Sequence, residues 1–212
     1  MLFKNRTEAG KQLAQALEHY QGKPGVIFPL PRGGVTLGVE LARMLEMPID
    51  LVIPRKVGHP ANPEYAICAV SETGDPVCSR WEKERVDPEW LRQAIETEKR
   101  TARSRRERFL GDKQPLPLEG KTAVIVDDGI ATGLTMRAAI LEIKSRHPAR
   151  IVIAIPVAPA ESVAELEPLV DEVVGLEISD RFLGSVGAYY SDFTQVSDDQ
   201  VVDMLRMLDS GR

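Results

Sequence analysis

Two adjacent aspartates, Asp127 and Asp128, are the residues whose type and spacing point most directly to chemistry. They follow an apolar run at 124–126 and precede a turn of small and hydroxyl-bearing residues, 129–135, where a helix is predicted to begin. Backbone N–H groups at such a turn and helix start bind phosphate. Two carboxylates beside a phosphate make sense when the ligand also carries hydroxyl donors, as a ribose does, or brings Mg²⁺. The implied ligand is a sugar phosphate, and the structural alternative is that the two acids only cap a turn.

Two cationic segments also end apolar runs. Arg32 is followed by Gly33 and Gly34 at the end of one run, and Arg55 with Lys56 ends another. A cation next to glycines suits an anion, because the guanidinium supplies charge and the amides donate hydrogen bonds. The alternatives are a glycine turn with a solvated arginine, and a solvated Arg-Lys pair.

Apolar runs that alternate with helical periodicity predict the elements that must position these residues. All-apolar strands joined by helices imply an α/β fold with a mainly parallel, twisted sheet and helices on both faces. In such sheets ligands bind at the carboxyl ends of the strands, which is where the candidate segments lie. The predicted strands are 25–30, 49–54, 121–126, 151–155 and 172–176, and the predicted helices are 7–20, 35–45, 134–144, 161–170 and a last one that starts near 197.

An insertion between the two βαβ units is predicted to hold a loop, a short hairpin and a helix rich in arginine at 88–110. For that helix, a solvated surface supported by salt bridges is favoured over an anion-binding or RNA-binding surface, because most exposed arginines bind no ligand. A small hood with a flexible loop is expected beside the sheet. The predicted single domain spans 1–212, with its core at about 24–56 and 119–178, the insertion at about 57–112, and a C-terminal hood and helix at about 179–212.

The stretch at 124–136 resembles the signature with which type I phosphoribosyltransferases bind phosphoribosyl pyrophosphate (PRPP). The resemblance extends over most of the chain and is closest to an uncharacterised bacterial branch of predicted phosphoribosyltransferases. It implies that the paired aspartates bind the ribose hydroxyls, that the turn after them binds the 5-phosphate, and that the arginine segments bind pyrophosphate. It also implies a cis peptide bond between Pro31 and Arg32. The implied PRPP-binding residues are Arg32, Gly33, Gly34, Arg55, Lys56, Asp127, Asp128, Gly129, Ala131, Thr132, Gly133, Leu134 and Thr135, with Arg32, Lys56, Asp127 and Asp128 as the catalytic group.

The activity implied by the resemblance is a pentosyl transfer. The 5-phosphoribosyl group would pass from Mg²⁺-bound PRPP to a nitrogenous acceptor, expected to be a nucleobase in salvage and nucleotide metabolism, with release of pyrophosphate. Mg²⁺ would be held mainly by PRPP near the aspartates, with no direct protein ligand expected. The segment at 57–65 resembles the mobile loop that covers the site in this family. His59 and Glu64 within it could act as acid–base groups, although a bystander role is favoured.

The acceptor is only partly constrained by the sequence. Members that act on 6-oxopurines usually carry an aspartate where this chain has Ala131, which disfavours hypoxanthine and guanine and favours the adenine-type or other branches. Phe182 or Tyr190 could stack on a planar base, while the alternative that these rings close the core is slightly favoured.

Composition excludes several classes of function. With 43% hydrophobic and 28% charged residues and a net charge of −5, the chain is typical of a globular protein and is not expected to bind nucleic acid as its main role. No apolar run approaches the roughly 20 residues that cross a bilayer, so no membrane association is expected. The first six residues do not resemble a secretion signal. Cys68 and Cys78, with few histidines, argue against a disulfide and a zinc site and suit a reducing cytoplasm.

Two other functions are weighed against catalysis. A PRPP-sensing regulator would keep the same cradle without turnover, but such regulators usually carry a DNA-binding domain, and the segment before Gly25 is too short for one. A plain nucleotide binder is disfavoured because Walker and Gly-x-Gly-x-x-Gly patterns are missing. The sequence does not give the oligomeric state; because relatives are often dimers, a homodimer is among the expectations.

Overall fold

A four-stranded parallel sheet in the order β1-β5-β6-β7 organises the computed structural model, which describes residues 2–210. Positions 1, 211 and 212 of the predicted domain lie outside the described residues. In chain order the elements are α1 (Arg6–Ala16), β1 (Gly25–Pro29), α2 (Gly33–Leu45), β2 (Arg55–His59), β3 (Asn62–Val70), β4 (Val77–Cys78), α3 (Arg80–Lys83), α4 (Pro88–Leu110), β5 (Thr122–Val126), α5 (Leu134–Ser145), β6 (Arg150–Pro159), α6 (Ala160–Leu166), β7 (Glu172–Ser179) and α7 (Asp198–Ser210).

The sheet is covered by helices on both faces, because successive strand residues point to opposite sides. In β5, Val124 packs in the same cluster as Leu13, Leu41 and Leu205, which come from α1, α2 and α7. Its neighbour Ile125 packs in a second cluster with α5 and α6. The predicted α/β fold with a mainly parallel sheet is thus confirmed. None of the helices within residues 2–210 has both the length and the apolar composition that a membrane span requires.

The predicted strand at 49–54 is wrong. Only Ile49 forms a bridge, parallel to Ile27 of β1, and the chain then leaves the sheet. The buried carboxylate of Asp50 explains the departure: it accepts hydrogen bonds from the N–H of Leu51 at 2.8 Å and from Arg106 at 2.6 Å. Residues 51–53 are nonetheless buried, so the apolar run reflects burial rather than strand pairing.

The inserted region forms a second, antiparallel sheet in the order β2-β3-β4. The segment at 57–65, predicted as a loop, is largely a hairpin between β2 and β3. The short hairpin predicted for the insertion is confirmed: β3 pairs with β4, and the register places Cys68 opposite Cys78. The two cysteines form a disulfide with a Cα–Cα distance of 4.0 Å, so the expectation of two free thiols is wrong. The number of cysteines alone could not show that the hairpin would pair the two directly across neighbouring strands.

The arginine-rich helix has the predicted bounds but not a wholly solvated character. Pro88 lies in its first turn, and the side chain of Asp87 accepts a hydrogen bond from the N–H of Glu89 as an N-cap. Arg106 is only 9% exposed and binds Asp50 and the carbonyl of Leu51, so it is a structural arginine.

Candidate functional site

The two predicted glycine-containing loops lie against each other at the carboxyl end of the sheet. β1 and β5 are neighbours, and the N–H of Leu30, just after β1, donates to the carbonyl of Val126 at 2.8 Å. A Cβ on Gly33 would lie 1.9 Å from Oδ2 of Asp128. A Cβ on Gly34 would lie 2.7 Å from the same Val126 carbonyl. Only glycine therefore allows the arginine loop to approach the paired aspartates this closely.

Asp128 is held by two residues distant in sequence, Arg6 and Tyr190. Nε of Arg6, at the start of α1, donates to Oδ2 of Asp128 at 2.7 Å. The same guanidinium lies 3.7 Å from the centre of the Phe193 ring, and its Nη1 donates to the carbonyl of Thr194 at 2.8 Å. The hydroxyl of Tyr190 donates to the Asp128 carbonyl at 2.6 Å. The sequence reasoning missed Arg6, because no local motif signals a partner 122 positions away.

The electrostatics of the paired acids favour a ligand that donates hydrogen bonds. Burial, followed by the charge of Asp128, raises the pKa of the Asp127 carboxyl well above its usual value. Burial also raises the pKa of Asp128, against the opposing effect of Arg6. Oδ1 of Asp127 accepts from the N–H of Asp128 at 2.9 Å, while the Asp128 side chain is 16% exposed. Sugar hydroxyls would supply donors to carboxylates that are poorly solvated and close together.

The turn after the aspartates leads into a helix whose first N–H groups have no side-chain cap. Ala131 and Thr132 are exposed, and Gly133 has a φ of 70°, in the left-handed region that favours glycine. The hydroxyl of Ser162 donates to the Ala131 carbonyl at 2.9 Å and so fixes the turn. The N-terminus of α5 therefore offers free amides and a positive dipole end to an anion.

The N-terminus of α2 at the arginine loop also lacks a side-chain cap. The side chains that do accept at the starts of α1, α4 and α7 are Asn5, Asp87 and Ser197. The starts of α3 and α6 lack a side-chain cap as well, but α2 begins against the paired acids, where Gly33 contacts Asp128, and α5 begins after the turn that follows them. The two cradles expected from the sequence are thus brought together in one site.

The cations of the site are only partly arranged as expected. The peptide bond between Pro31 and Arg32 is cis, as predicted. Nη1 of Arg32 lies 3.6 Å from Oδ1 of Asp198, on α7, which the sequence reasoning did not select. The N–H of Gly34 donates to the Leu30 carbonyl at 3.1 Å, so this amide, assigned to the anion, is used within the loop.

The second cationic segment lies on β2, beside the inserted helix. Nε of Arg55 donates to Oε2 of Glu98 at 2.8 Å, while Lys56 is exposed. A cleft of about 460 Å³ separates the β2–β3 hairpin from α4 and is lined by Val57, His59, Trp90 and Glu98 among others. The hairpin thus borders a cleft that it shares with α4.

The two candidate base-stacking rings are not equivalent. Tyr190 is 2% exposed and its ring lies between Phe3 and Phe193, so the core interpretation describes its position and leaves almost no ring surface for a base. Phe182 is half-buried and stacks on Tyr189 with ring centres 5.5 Å apart. The stacking role therefore stays a prediction for Phe182 only.

The donor set fits a divalent ion that arrives with its phosphates. Within residues 2–210 no group of three or more His, Cys, Asp or Glu side chains could hold a metal by itself. Mg²⁺ is commonly bound by one or two carboxylates together with substrate phosphates. Asp127 and Asp128 are the two carboxylates at the mouth of the site.

Comparisons with known proteins match one family over most of the chain. The family model described as the phosphoribosyl transferase domain matches residues 3–191. Two curated Mycobacterium tuberculosis proteins, from strains CDC 1551 and H37Rv, carry the provisional name of phosphoribosyl transferase; each is 40% identical to this chain over 96% of its length. The match covers 46% of those proteins, so this chain spans about half the length of the curated relatives it matches.

Solved structures show the same fold. The crystal structure of the protein TT1426 from Thermus thermophilus is 38% identical, covers 98% of this chain and 99% of its own, and superposes with a TM-score of 0.82. A hypoxanthine phosphoribosyltransferase from Staphylococcus aureus is 18% identical, covers 86% of this chain and 78% of its own, and has a TM-score of 0.50, which supports the fold alone.

Proposed function

This chain belongs to the phosphoribosyl transferase family, and on that premise we propose that it transfers the 5-phosphoribosyl group of Mg²⁺-bound PRPP to a nitrogenous acceptor and releases pyrophosphate. One observation carries the proposal: at one sheet edge a pair of carboxylates lies beside the Arg32-Gly33 loop and is followed by the uncapped N-terminus of α5. An anion at each end and hydroxyls between them is the chemical description of PRPP.

Each end of the donor has a separate role in the proposed reaction. The amides at 131–135 and the dipole of α5 would bind the 5-phosphate, and Asp127 and Asp128 would accept hydrogen bonds from the ribose hydroxyls. Arg32, with the N-terminus of α2, would bind the pyrophosphate and stabilise its charge as it leaves. The ribose would thereby be held between two fixed anchors, which reduces the entropy cost of reaching the transition state.

The paired carboxylates would also act electrostatically. As the bond from the ribose carbon to the pyrophosphate oxygen breaks, positive charge develops on the sugar ring, and negative charge beneath it is stabilising. Bound Mg²⁺ would neutralise charge on the leaving pyrophosphate. Removing one such electrostatic contact typically lowers the rate by about 10²–10³.

A nucleobase is the proposed class of acceptor. Ala131 stands where 6-oxopurine-specific members carry an aspartate, which favours adenine-type or other bases. The proposal places the reaction in the cytoplasm. Alkylation of free thiols before cell lysis, followed by fractionation, would report both the compartment and the oxidation state of the Cys68–Cys78 pair.

A direct test measures pyrophosphate release from Mg²⁺-bound PRPP across a panel of nucleobases, with calorimetry of PRPP binding alongside. Release with at least one base and binding of PRPP are expected. Binding without release on any acceptor would point instead to a PRPP-sensing regulator. No detectable binding of PRPP would contradict both.

A further inference from the structure

The inserted helix α4 brings a third arginine to the cationic side of the site. This helix packs against both β2 and α7. Its residue Glu98 binds Arg55 of β2, and its residue Arg108 donates to Oδ2 of Asp198 on α7 at 2.9 Å. Arg105 lies seven positions after Glu98 and three before Arg108. Because residues three, four and seven apart share one face of a helix, Arg105 points between these two contacts.

Arg105 differs from the other arginines of this helix in having no direct partner. It is half-buried, yet among residues 2–210 it forms no hydrogen bond or ion pair. By contrast Arg106 is buried on Asp50, and Arg100 is exposed beside Thr97. A half-buried guanidinium without a counter-ion is unfavourable, because its desolvation is not offset by a charged hydrogen bond.

Two guanidiniums and two carboxylates surround Arg105, so that with its own charge three cations face two anions. Burial, followed by the positive charges of Arg55 and Arg32, lowers the pKa of the Arg105 guanidinium; the carboxylates of Asp198 and Glu98 oppose this effect. Oε2 of Glu98 accepts from Arg55 at 2.8 Å, and Oδ2 of Asp198 accepts from Arg108 at 2.9 Å. Oδ1 of Asp198 is buried without a hydrogen bond and lies 3.6 Å from Nη1 of Arg32. Three guanidiniums therefore converge with two shared carboxylates between them.

We propose that Arg105 is a further binding residue for the pyrophosphate end of the donor, beside Arg32 and Arg55, an assignment that rests on the proposed function. Arg32 links this site to the ribose, because the adjacent Gly33 contacts Asp128. The 5-phosphate would have its own cradle at the uncapped N-terminus of α5. A diphosphate is the ligand class that matches three planar forks, since each guanidinium can bind two phosphate oxygens at once. The insertion would therefore supply a binding residue rather than only a solvated surface.

The test uses the full chain and two separate probes. Calorimetry with Mg²⁺ and inorganic pyrophosphate, and in parallel with ribose 5-phosphate, would compare the unmodified protein, Arg105→Gln and the matched control Arg100→Gln on the same helix. Loss of one charge-assisted contact predicts pyrophosphate binding weaker by about tenfold to a hundredfold in Arg105→Gln. Ribose 5-phosphate binding should stay unchanged, and Arg100→Gln should behave as the unmodified protein with both probes.

The outcomes separate this assignment from the proposed function. Unchanged pyrophosphate binding in Arg105→Gln, or no pyrophosphate binding by the unmodified protein, would overturn the assignment of Arg105. If Arg105→Gln loses pyrophosphate but the unmodified protein transfers to no acceptor, the assignment stands and the proposed transfer fails. Should Arg105→Gln not fold, Arg105→Lys keeps the charge without the planar fork. Pyrophosphate binding at least a few-fold weaker in that variant would support the assignment, and unmodified affinity would overturn it.

Discussion

Replacing Gly33 by alanine tests the central contact of the site with a single methyl group. The new Cβ would lie 1.9 Å from Oδ2 and 2.7 Å from Cγ of Asp128, and 3.0 Å from Nε of Arg6. Ordinary van der Waals contact begins near 3.4 Å, so the carboxylate must withdraw by about 1.5 Å. That movement would also stretch the 2.7 Å hydrogen bond from Arg6, which holds the carboxylate in place. The aspartate proposed to bind the ribose is thereby displaced while the backbone is left where it is.

Gly33→Ala is expected to reduce PRPP binding and turnover but to change the free energy of unfolding little. A misplacement of about 1 Å at a reacting centre can cost about a hundredfold in rate, so PRPP turnover should fall by about that factor or more in Gly33→Ala. Stability should change by no more than about 1 kcal/mol, because the clash is with a side chain and alanine restricts the unfolded chain. Calorimetry with Mg²⁺-bound PRPP, pyrophosphate release and thermal unfolding measure the three quantities.

Gly34→Ala provides the contrast. Its Cβ would meet the backbone carbonyl of Val126 at 2.7 Å and Cα of Asp127 at 3.2 Å, neither of which can rotate away. This variant should therefore lose stability by about 1–3 kcal/mol. Wild-type PRPP affinity in a folded Gly33→Ala protein would refute the reasoning, since it would mean that the position of the Asp128 carboxylate does not matter to the ligand.

Three further predictions follow from other contacts. Asp128→Asn should lower phosphoribosyl transfer by about 10²–10³ with little change in thermal unfolding, and turnover close to that of the unmodified protein would contradict the role of this carboxylate. Arg6→Met should weaken PRPP binding by about tenfold, because it removes the hydrogen bond that holds the Asp128 carboxylate. Arg6→Lys should restore part of that affinity. Calorimetry would measure PRPP binding by both variants, and affinities equal to that of the unmodified protein would mean that Arg6 only packs. Burial, followed by the charge of Glu142, raises the pKa of the Glu72 carboxyl from 4.5 to about 7. The folded state therefore binds this proton more tightly than the unfolded state does. The resulting contribution to stability is present below pH 4.5 and is lost as the pH rises to about 7. Glu72→Gln should therefore gain stability relative to the unmodified protein, on the order of 1 kcal/mol, at about pH 8 compared with about pH 4.5, and urea unfolding that shows the same difference at both values would contradict the shift.

Local sequence signals predicted the four strands that do form the parallel sheet and the two loops at its edge. The side chains of the apolar strand β5 alternate between two hydrophobic clusters, one on each face of the sheet. Glycine-rich turns at the carboxyl ends of such strands are typical of ligand sites in parallel sheets. The contact of Gly33 with Asp128 follows from this, because parallel neighbours β1 and β5 end at the same edge.

Long-range partners were not predictable from the same signals. Arg6, Glu98 and Asp198 become important only through elements that meet in the folded chain, and each resembles an ordinary surface residue in the sequence. The error at 49–54 has a related cause. An apolar run reports burial, whereas strand pairing was decided by Asp50, whose buried carboxylate binds Arg106 and the N–H of Leu51.

The bond network around Arg6 has a consequence for biosynthesis. Arg6 lies near the start of the described chain, yet its guanidinium is fixed by the Thr194 carbonyl and the Phe193 ring, and the Asp128 that it binds lies between them in sequence. A growing polypeptide on the ribosome can fold its parallel sheet once β7 has emerged. It cannot complete this grip on the carboxylate until residue 194 has left the exit tunnel, so full ligand affinity should follow the folding of the sheet rather than accompany it.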